Sequence, residues 1–242
     1  MHRRVLERHP DLASGLAAVT AILARPPVTS LFLTGGIALG SYTPGSSDVD
    51  FVAVLSEPFG AGLAEVSRAA WAALPSTSQT LLLRRDLGQE EPPAQQVWNP
   101  DHVTPYPFHA IEVILLRDYS VLLWGEDRRS ELALYQVSEA IPGIIAPVSN
   151  KMLPGATETT DVTGVAFVLV RCLYSLRTGG LASKPDAAEW VADREGEQPA
   201  LRRLAQALLL GGGTEETRCV FPEAATEFQS LVPAGRGTCA TD

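Results

Sequence analysis

The chain has 242 residues and a formal net charge of -9, from 28 acidic and 19 basic side chains. Hydrophobic residues make up 45% and charged residues 19%, which is typical of a globular protein and excludes a disordered one. Its length suits one or two domains. Basic pairs such as Arg84-Arg85 are scattered along the chain. We therefore expect no nucleic-acid partner, because phosphate backbones require a clustered basic surface.

The cysteines and the apolar segments indicate the cellular compartment in which the protein is expected. Cys172, Cys219 and Cys239 form no Cys-x-x-Cys pair, so we expect reduced thiols in a cytoplasmic protein. Cys172 lies in an apolar helical run and is expected to pack in a core. Residues 1–15 contain no continuous apolar segment, and no apolar run is long enough for a membrane span. We expect neither a signal peptide nor a membrane contact.

The N-terminal part reads as alternating helices and strands. Apolar residues at helical spacing predict a helix over 11–24, which Pro26-Pro27 ends. Further along, the pattern predicts a strand at 31–33, a short helical turn, a strand to Leu55, a helix over 61–74 and a strand over 78–83. This order indicates a small α/β (α+β) domain with a mixed sheet.

The rest of the chain reads as a loop followed by helices. Residues 86–107 carry five prolines and are predicted to be an irregular loop that contains the domain linker. Helices are predicted over 108–125, 130–140, 160–176, 185–193 and 199–210. We therefore predict an α/β domain over 1–104, an all-α helical-bundle domain over 105–230 and a loose tail over 231–242.

The stretch from Ser30 to Leu55 carries the strongest chemical signal. Gly35-Gly36 follows an apolar strand, and Asp48 and Asp50 open the next one. Residues two apart in a strand face the same side, so both carboxylates are expected to face one space and to suit Mg²⁺. A glycine pair that opens a helix exposes N–H groups suited to phosphate. Each feature alone is also typical of an ordinary turn or a solvated strand start.

The combination resembles the signature of the polymerase-β-type nucleotidyltransferases. That signature is Gly-Gly or Gly-Ser, a spacer of about ten residues, and Asp-h-Asp-h with h apolar, and Gly35-Gly36 and Asp48-Val49-Asp50-Phe51 match it. The resemblance implies that Asp48 and Asp50 bind Mg²⁺, and that Gly35, Gly36 and Ser47 lie at the phosphates of ATP. Family members more often have Gly-Ser than Gly-Gly, which removes one hydroxyl contact but keeps the backbone donors.

The C-terminal half narrows the resemblance to the aminoglycoside (3″)(9) adenylyltransferases, which confer antibiotic resistance by modifying streptomycin and spectinomycin. The matching pattern is Arg171, an aromatic residue, Thr178-Gly179, Lys184 and an Ala-rich helix that ends near Trp190. It implies that Arg171 and Lys184 reach the ATP phosphates from the helical domain, across a cleft between the domains.

The same resemblance implies two contacts with the acceptor. Trp98 falls at the position of an interdomain-loop tryptophan that contacts streptomycin, and Asp161 at that of an aspartate that opens the arginine-bearing helix. An ordinary structural role stays open for each of them. Trp98 also suits a loop anchor packed on the core, and Asp161 suits a helix N-cap.

One departure from the family concerns the general base. The family carries a catalytic Glu on the third strand, and the best register puts Gln79 there. An amide cannot act as a base. Glu112 is an alternative base if the third strand is the segment AIEVILL, and His102 and His109 are further candidates near the loop.

The leading hypothesis is therefore a monomeric, cytoplasmic, Mg²⁺-dependent enzyme that transfers AMP from ATP to a hydroxyl of a small cationic acceptor such as streptomycin or spectinomycin. The alternative is a nucleotide- or ligand-binding member that kept the metal pair and lost the base. A third hypothesis is an interaction domain that binds no nucleotide.

Overall fold

The computed structural model describes residues 6–44, 47–74, 77–99, 102–147, 162–194, 198–211 and 215–231. The chain separates into two compact units, Met1–Gln136 and Val137–Asp242. The first unit contains a mixed six-stranded sheet with helices, and the described part of the second is helical. The predicted fold class, an α/β domain followed by an all-α region, is confirmed.

The first elements follow the order that the sequence predicts. They are α1 (Pro10–Leu23), β1 (Val28–Leu33), the short α2 (Gly35–Ala38), β2 (Val49–Leu55), α3 (Leu63–Ala73) and β3 (Thr77–Leu83). Helix α1 buries Leu12, Leu16, Val19 and Leu23, which lie on one side of the helix because they are three or four residues apart. Local periodicity therefore predicts this part of the fold well.

The loop predicted over residues 86–107 is wrong from Pro93 onward. This part contains the antiparallel strands β4 (Pro93–Asn99) and β5 (His102–Pro107). Strand β5 lies at the edge of the sheet and pairs only with β4. An edge strand tolerates prolines, since every second N–H group faces away from its single partner, and Pro105 and Pro107 are two residues apart.

The single helix predicted over residues 108–125 is also wrong. The segment forms α4 (Ala110–Ile114), a π-helical turn (Leu115–Tyr119) and the strand β6 (Val121–Gly125). Strand β6 pairs antiparallel with β1. A continuous apolar run fits a buried helix or a buried strand equally well, so only the partner strand decides the outcome.

The sheet has the order β5-β4-β3-β2-β1-β6. Strands β2 and β3 are parallel, and the other neighbouring pairs are antiparallel. One face packs against α1 and α3 through a core that includes Val49, Phe51 and Leu81. The other face packs Val52, Val54 and Leu82 against the segment around α4. Strands β1, β2 and β3 thus supply alternate residues to two separate cores.

The second unit contains α5 (Val137–Pro147), α6 (Val162–Thr178), α7 (Lys184–Ala192), α8 (Pro199–Leu209) and α9 (Glu215–Leu231). Together α6, α7, α8 and α9 surround one apolar core, to which α5 also contributes. Cys172 is buried in it, as predicted. The helix predicted over 130–140 begins instead at Val137, and the preceding Arg129–Glu131 is a 3-10 turn. Most of the predicted tail over 231–242 lies outside the described residues.

The boundary between the two units falls between Gln136 and Val137 in the chain, whereas the domain boundary predicted from the sequence lies between residues 104 and 105. Residues 105–136 contribute α4 and β6 to the first unit, and β6 is hydrogen-bonded into its sheet. In the part of the chain that the structure describes, no helix is long and apolar enough to span a bilayer.

Candidate functional site

The connection from β1 to α2 lies against the first residues of β2. The Thr34 N–H donates to the Asp50 carbonyl over 2.8 Å, and the Thr34 hydroxyl is 3.4 Å from the same oxygen. Gly35 has a φ of +64°, and a Cβ there would overlap Asp50 Oδ2. Glycine is therefore required at position 35 both by its backbone conformation and by the close approach of the carboxylate.

Asp50 has a defined carboxylate position. The residue is half-buried, and its Oδ1 accepts a hydrogen bond from the Ser78 hydroxyl over 2.6 Å. Ser78 is its direct partner in the parallel β2–β3 pair. Asp48 precedes β2 and is exposed. The strand period places Asp48 and Asp50 on one side, with Asp48 nearer to solvent.

The turn before Asp48 is closed by Ser47. The Ser47 hydroxyl accepts a hydrogen bond from the Thr43 N–H over 2.9 Å, and the Ser47 N–H donates to the Thr43 carbonyl over 2.9 Å. Gly36 is tied to the same connection, because its carbonyl accepts from the Ser41 N–H over 2.8 Å. Gly35, Gly36 and Ser47 therefore belong to one connection between β1 and β2, next to the carboxylates.

Gln79 does not lie beside Asp50, so this part of the sequence prediction is wrong. It pairs with Phe51 and faces the core under α3, where its side chain is 3% exposed. The Ser67 hydroxyl donates to Gln79 Oε1 over 3.4 Å. The predicted register is one residue off, and a shift of one residue moves a side chain to the opposite face. Ser78, which the sequence interpretation did not single out, occupies the position beside Asp50.

Glu112 lies on α4. The segment AIEVILL is therefore not the third strand, and the condition on which Glu112 was predicted as a base is wrong. Its Oε1 accepts from the Tyr106 hydroxyl over 2.8 Å, and its Oε2 from the His109 N–H over 2.9 Å. Burial raises the pKa of Glu112, and the negative charge of Asp50 raises it further, against the lowering effect of Tyr106 and His109. Tyr106 was missed by sequence analysis, since its pairing depends on β5.

His102 and His109, the other candidate bases, have different environments. His102 is exposed at the start of β5. His109 caps α4, and its Nδ1 lies 3.4 Å from Glu91 Oε1 at an exposed position. His109 thus has a structural role at the helix start.

A magnesium ion at Asp48 and Asp50 fits the donor set. Mg²⁺ is commonly held by one or two carboxylates, with substrate phosphates and waters completing its coordination. Among the described residues, no group of three His, Cys, Asp or Glu side chains is arranged to hold a metal by itself.

The residues expected to bind nucleotide from the helical half lie in the second unit. Arg171 is half-buried on α6, and its charge opposes the burial that raises the pKa of Cys172 to about 12. Lys184 is exposed at the first position of α7, with its Nζ 5.8 Å from the centroid of the Phe167 ring. Ser183 caps this helix by accepting from the Asp186 N–H over 3.2 Å.

Of the two residues predicted to contact the acceptor, the structure describes Trp98 but not Asp161. Trp98 lies in β4 and not in a loop, at the irregular register between Val97 and Asn99. Asp161 lies outside the described residues. Both assignments stay predictions.

Comparison with known proteins finds a family similar to most of the first unit. Residues 18–120 match the family model of the nucleotidyltransferase domain, and this range contains the strands β1, β2 and β3 and both aspartates. No curated protein matches the sequence. Among solved structures, spectinomycin adenyltransferase AAD(9) from Enterococcus faecialis, solved with ATP and spectinomycin, superimposes with a TM-score of 0.66. That match has 15% identity and covers 91% of this chain and 99% of the other.

The predicted resemblance is thereby confirmed at the level of domain and fold. The match over residues 18–120 includes the Gly-Gly and Asp-x-Asp positions on which the prediction was based. The structural match extends over both units of the chain, although its low identity shows the fold alone. Residues 18–120 are thus similar to a nucleotidyltransferase domain, a helical region follows them, and the chain has a fold similar to that of spectinomycin adenyltransferase AAD(9).

Proposed function

We propose that this protein transfers AMP from ATP to a hydroxyl group of a small cationic acceptor such as streptomycin or spectinomycin, with Mg²⁺ as cofactor. The observation that carries the proposal is the position of the Asp50 carboxylate within the segment that matches the nucleotidyltransferase domain. This carboxylate lies against Gly35, on the connection that holds Gly36 and Ser47. Carboxylates beside a glycine pair at the start of a helical turn suit a nucleotide that carries its own metal.

The acceptor class is supported by charge. The chain has a net charge of -9, and Asp48 is exposed beside the proposed site. Acidic surfaces raise the local concentration of cationic ligands. The structural relative was solved with ATP and spectinomycin. ATP as substrate also supports the expected cytoplasmic location.

We propose three further groups of contacts. Gly35, Gly36 and Ser47 line the phosphates of ATP from the first unit. Arg171 and Lys184 bind the phosphates by charge-assisted hydrogen bonds, and Trp98 and Asp161 contact the acceptor. In this arrangement Mg²⁺ would neutralise phosphate charge, while Asp48 and Asp50 hold it in position.

The test is Mg-ATP binding by calorimetry together with pyrophosphate release in the presence of streptomycin, spectinomycin or no acceptor. Asp48→Asn and Asp50→Asn should abolish Mg-dependent ATP binding and turnover without loss of the folded structure. Asp193→Asn, the same change at an exposed helix end in the second unit, serves as the matched control. Wild-type Mg-ATP affinity in both active-site variants would contradict the metal assignment.

A second candidate function is nucleotide binding with little or no transfer. The observation that favours it is the hydroxyl of Ser78 beside Asp50, at the place in β3 where a catalytic carboxylate would lie. Under this alternative, Ser78→Asp should create or strongly increase transfer, since a general base contributes about 10²–10⁴-fold. Under the leading proposal the wild type is already active, and Ser78→Asp should lower its rate by placing a second carboxylate against Asp50.

A further inference from the structure

An acidic side chain approaches Asp50 from the helix that follows β5. Val113 and Leu116 of this segment pack in one core with Val52 and Val54 of β2. Because side chains alternate along a strand, Val52 and Val54 share the face of Asp50. Glu112 precedes Val113, and its carboxyl group experiences the charge of Asp50. Glu112 therefore lies on the same side of the sheet as the proposed metal site.

The carboxyl group of Glu112 is held in place from two directions. The Tyr106 hydroxyl contacts Oε1 over 2.8 Å, and the His109 N–H contacts Oε2 over 2.9 Å. The contact with His109 belongs to a capping box and is accounted for by the start of α4. The contact with Tyr106 is additional. Each carboxylate oxygen has two lone pairs, so each keeps one for a further donor.

Three groups act on the Glu112 carboxyl group. Asp50 faces it from β2 and Tyr106 from β5, while His109 lies at the start of its own helix. Glu91 contacts His109. Burial is the largest influence and raises the pKa of Glu112, and the same burial raises the pKa of Tyr106, with a further contribution from the charge of Glu112. A carboxyl group with a raised pKa is better matched to proton transfer near neutral pH.

We propose that Glu112 is the general base of the transfer reaction, in place of the carboxylate that β3 lacks beside Asp50, and that Tyr106 is its positioning residue. This assignment rests on the proposed function. The acceptor hydroxyl gives its proton to the Glu112 carboxylate, and its oxygen forms a bond to the α-phosphorus of ATP. The bond between the α-phosphorus and the β-bridging oxygen breaks, and pyrophosphate leaves with the electron pair.

Glu112→Gln separates basicity from structure. Glutamine also serves in a capping box through its carbonyl oxygen, and its NH2 group can then donate to the Tyr106 hydroxyl oxygen, but it cannot take up the proton. The single-turnover rate with spectinomycin or streptomycin should fall by about 10²–10⁴-fold. The Kd for Mg-ATP and the thermal midpoint should stay at wild-type values. Glu90→Gln, the same change at an exposed loop position, should leave all three quantities unchanged.

Tyr106→Phe tests the positioning role through pH. The Tyr106 hydrogen bond lowers the pKa of Glu112, so its removal should raise that pKa. The acidic limb of the wild-type rate profile should move to higher pH, and the limb should be absent in Glu112→Gln. A uniform loss of rate in Tyr106→Phe, with no movement of the limb, would contradict this role.

The failures of the two proposals are distinguishable. A wild type that transfers AMP, together with a Glu112→Gln variant that is equally fast, overturns the assignment of Glu112 and leaves the proposed function intact. A wild type that binds Mg-ATP but transfers AMP to no acceptor, or that binds no Mg-ATP, overturns the transferase proposal and the base assignment with it.

Discussion

The two faces of the β2–β3 pair differ in burial and polarity, although their residues alternate along the same strands. On one face, Phe51 and Gln79 are paired and buried under α1 and α3. On the other, Asp50 and Ser78 are paired, and Asp50 is only half-buried. Neighbouring residues in one strand therefore have opposite environments. A shift of the strand pairing by one residue would exchange them. Three substitutions test how separate these faces are.

The largest effect is expected from Gly35→Ala. The new methyl group would overlap the Asp50 carboxylate, and the φ of +64° is unfavourable for any residue with a side chain. We expect loss of Mg-ATP binding and a stability loss larger than the roughly 1–2 kcal/mol of the backbone conformation alone. Calorimetry and urea unfolding measure the two effects.

Gly60→Ala is the matched control for that substitution. Gly60 has a φ of +65°, and a Cβ there would meet no atom within 4 Å. It should therefore show the cost of the backbone conformation and keep normal Mg-ATP binding. Equal effects of the two variants on binding would show that Asp50 does not depend on Gly35.

The next effect in size is expected from Gln79→Glu. The position is 3% exposed and faces an apolar core, so the new carboxyl group would have a raised pKa and would fold mainly in its neutral form. We expect a loss of about 1–3 kcal/mol in the free energy of unfolding. The loss should grow as pH rises from 5 to 8, because a group whose folded pKa is raised destabilises the fold when it must ionise.

Urea unfolding at the two pH values measures this prediction, and Gln95→Glu, the same change at an exposed position of β4, is the control. Gln79→Glu should not increase transfer. An active, stable Gln79→Glu variant would show that the side chain reaches the face of Asp50, which would contradict the register described here.

The smallest effect is expected from Ser78→Ala. It removes one hydrogen bond to a carboxylate, which contributes about 1.5 kcal/mol, the lower end of the range for charged groups, because the site is partly exposed. The fold should be retained, and the Kd for Mg-ATP should change by no more than about tenfold, since 1.4 kcal/mol corresponds to a factor of ten. A complete loss of binding would mean that Ser78 contacts the metal or nucleotide directly.

The local parts of this fold were predictable from sequence, and the parts set by pairing were not. Gly35 and Asp50 belong to one short sequence pattern, and the structure places them next to each other as that pattern predicts. Gln79 and Ser78 differ by one position, and only the pairing with β2 decides which of them lies beside Asp50. The third strand was predicted correctly as an element, but its register with β2 cannot be deduced from its own sequence.

Glu112 is a second residue whose contacts could not be predicted from the local sequence. The sequence predicts it as a base only on the condition that the segment AIEVILL forms the third strand. The structure brings it near Asp50 on a short helix, after the β4–β5 hairpin returns the chain. No periodic pattern signals that contact, since it joins residues far apart in the chain through tertiary packing alone.

The late position of β6 in the chain has a consequence for folding and for truncated fragments. Strand β1 (Val28–Leu33) is flanked by β2 and β6, and residues 121–125 are translated long after β2. A fragment that ends at residue 104 would leave the apolar segment VTSLFL with one open edge, which is a template for aggregation. A fragment that ends at residue 136 retains β6 and should show less aggregate than the shorter fragment on size-exclusion chromatography.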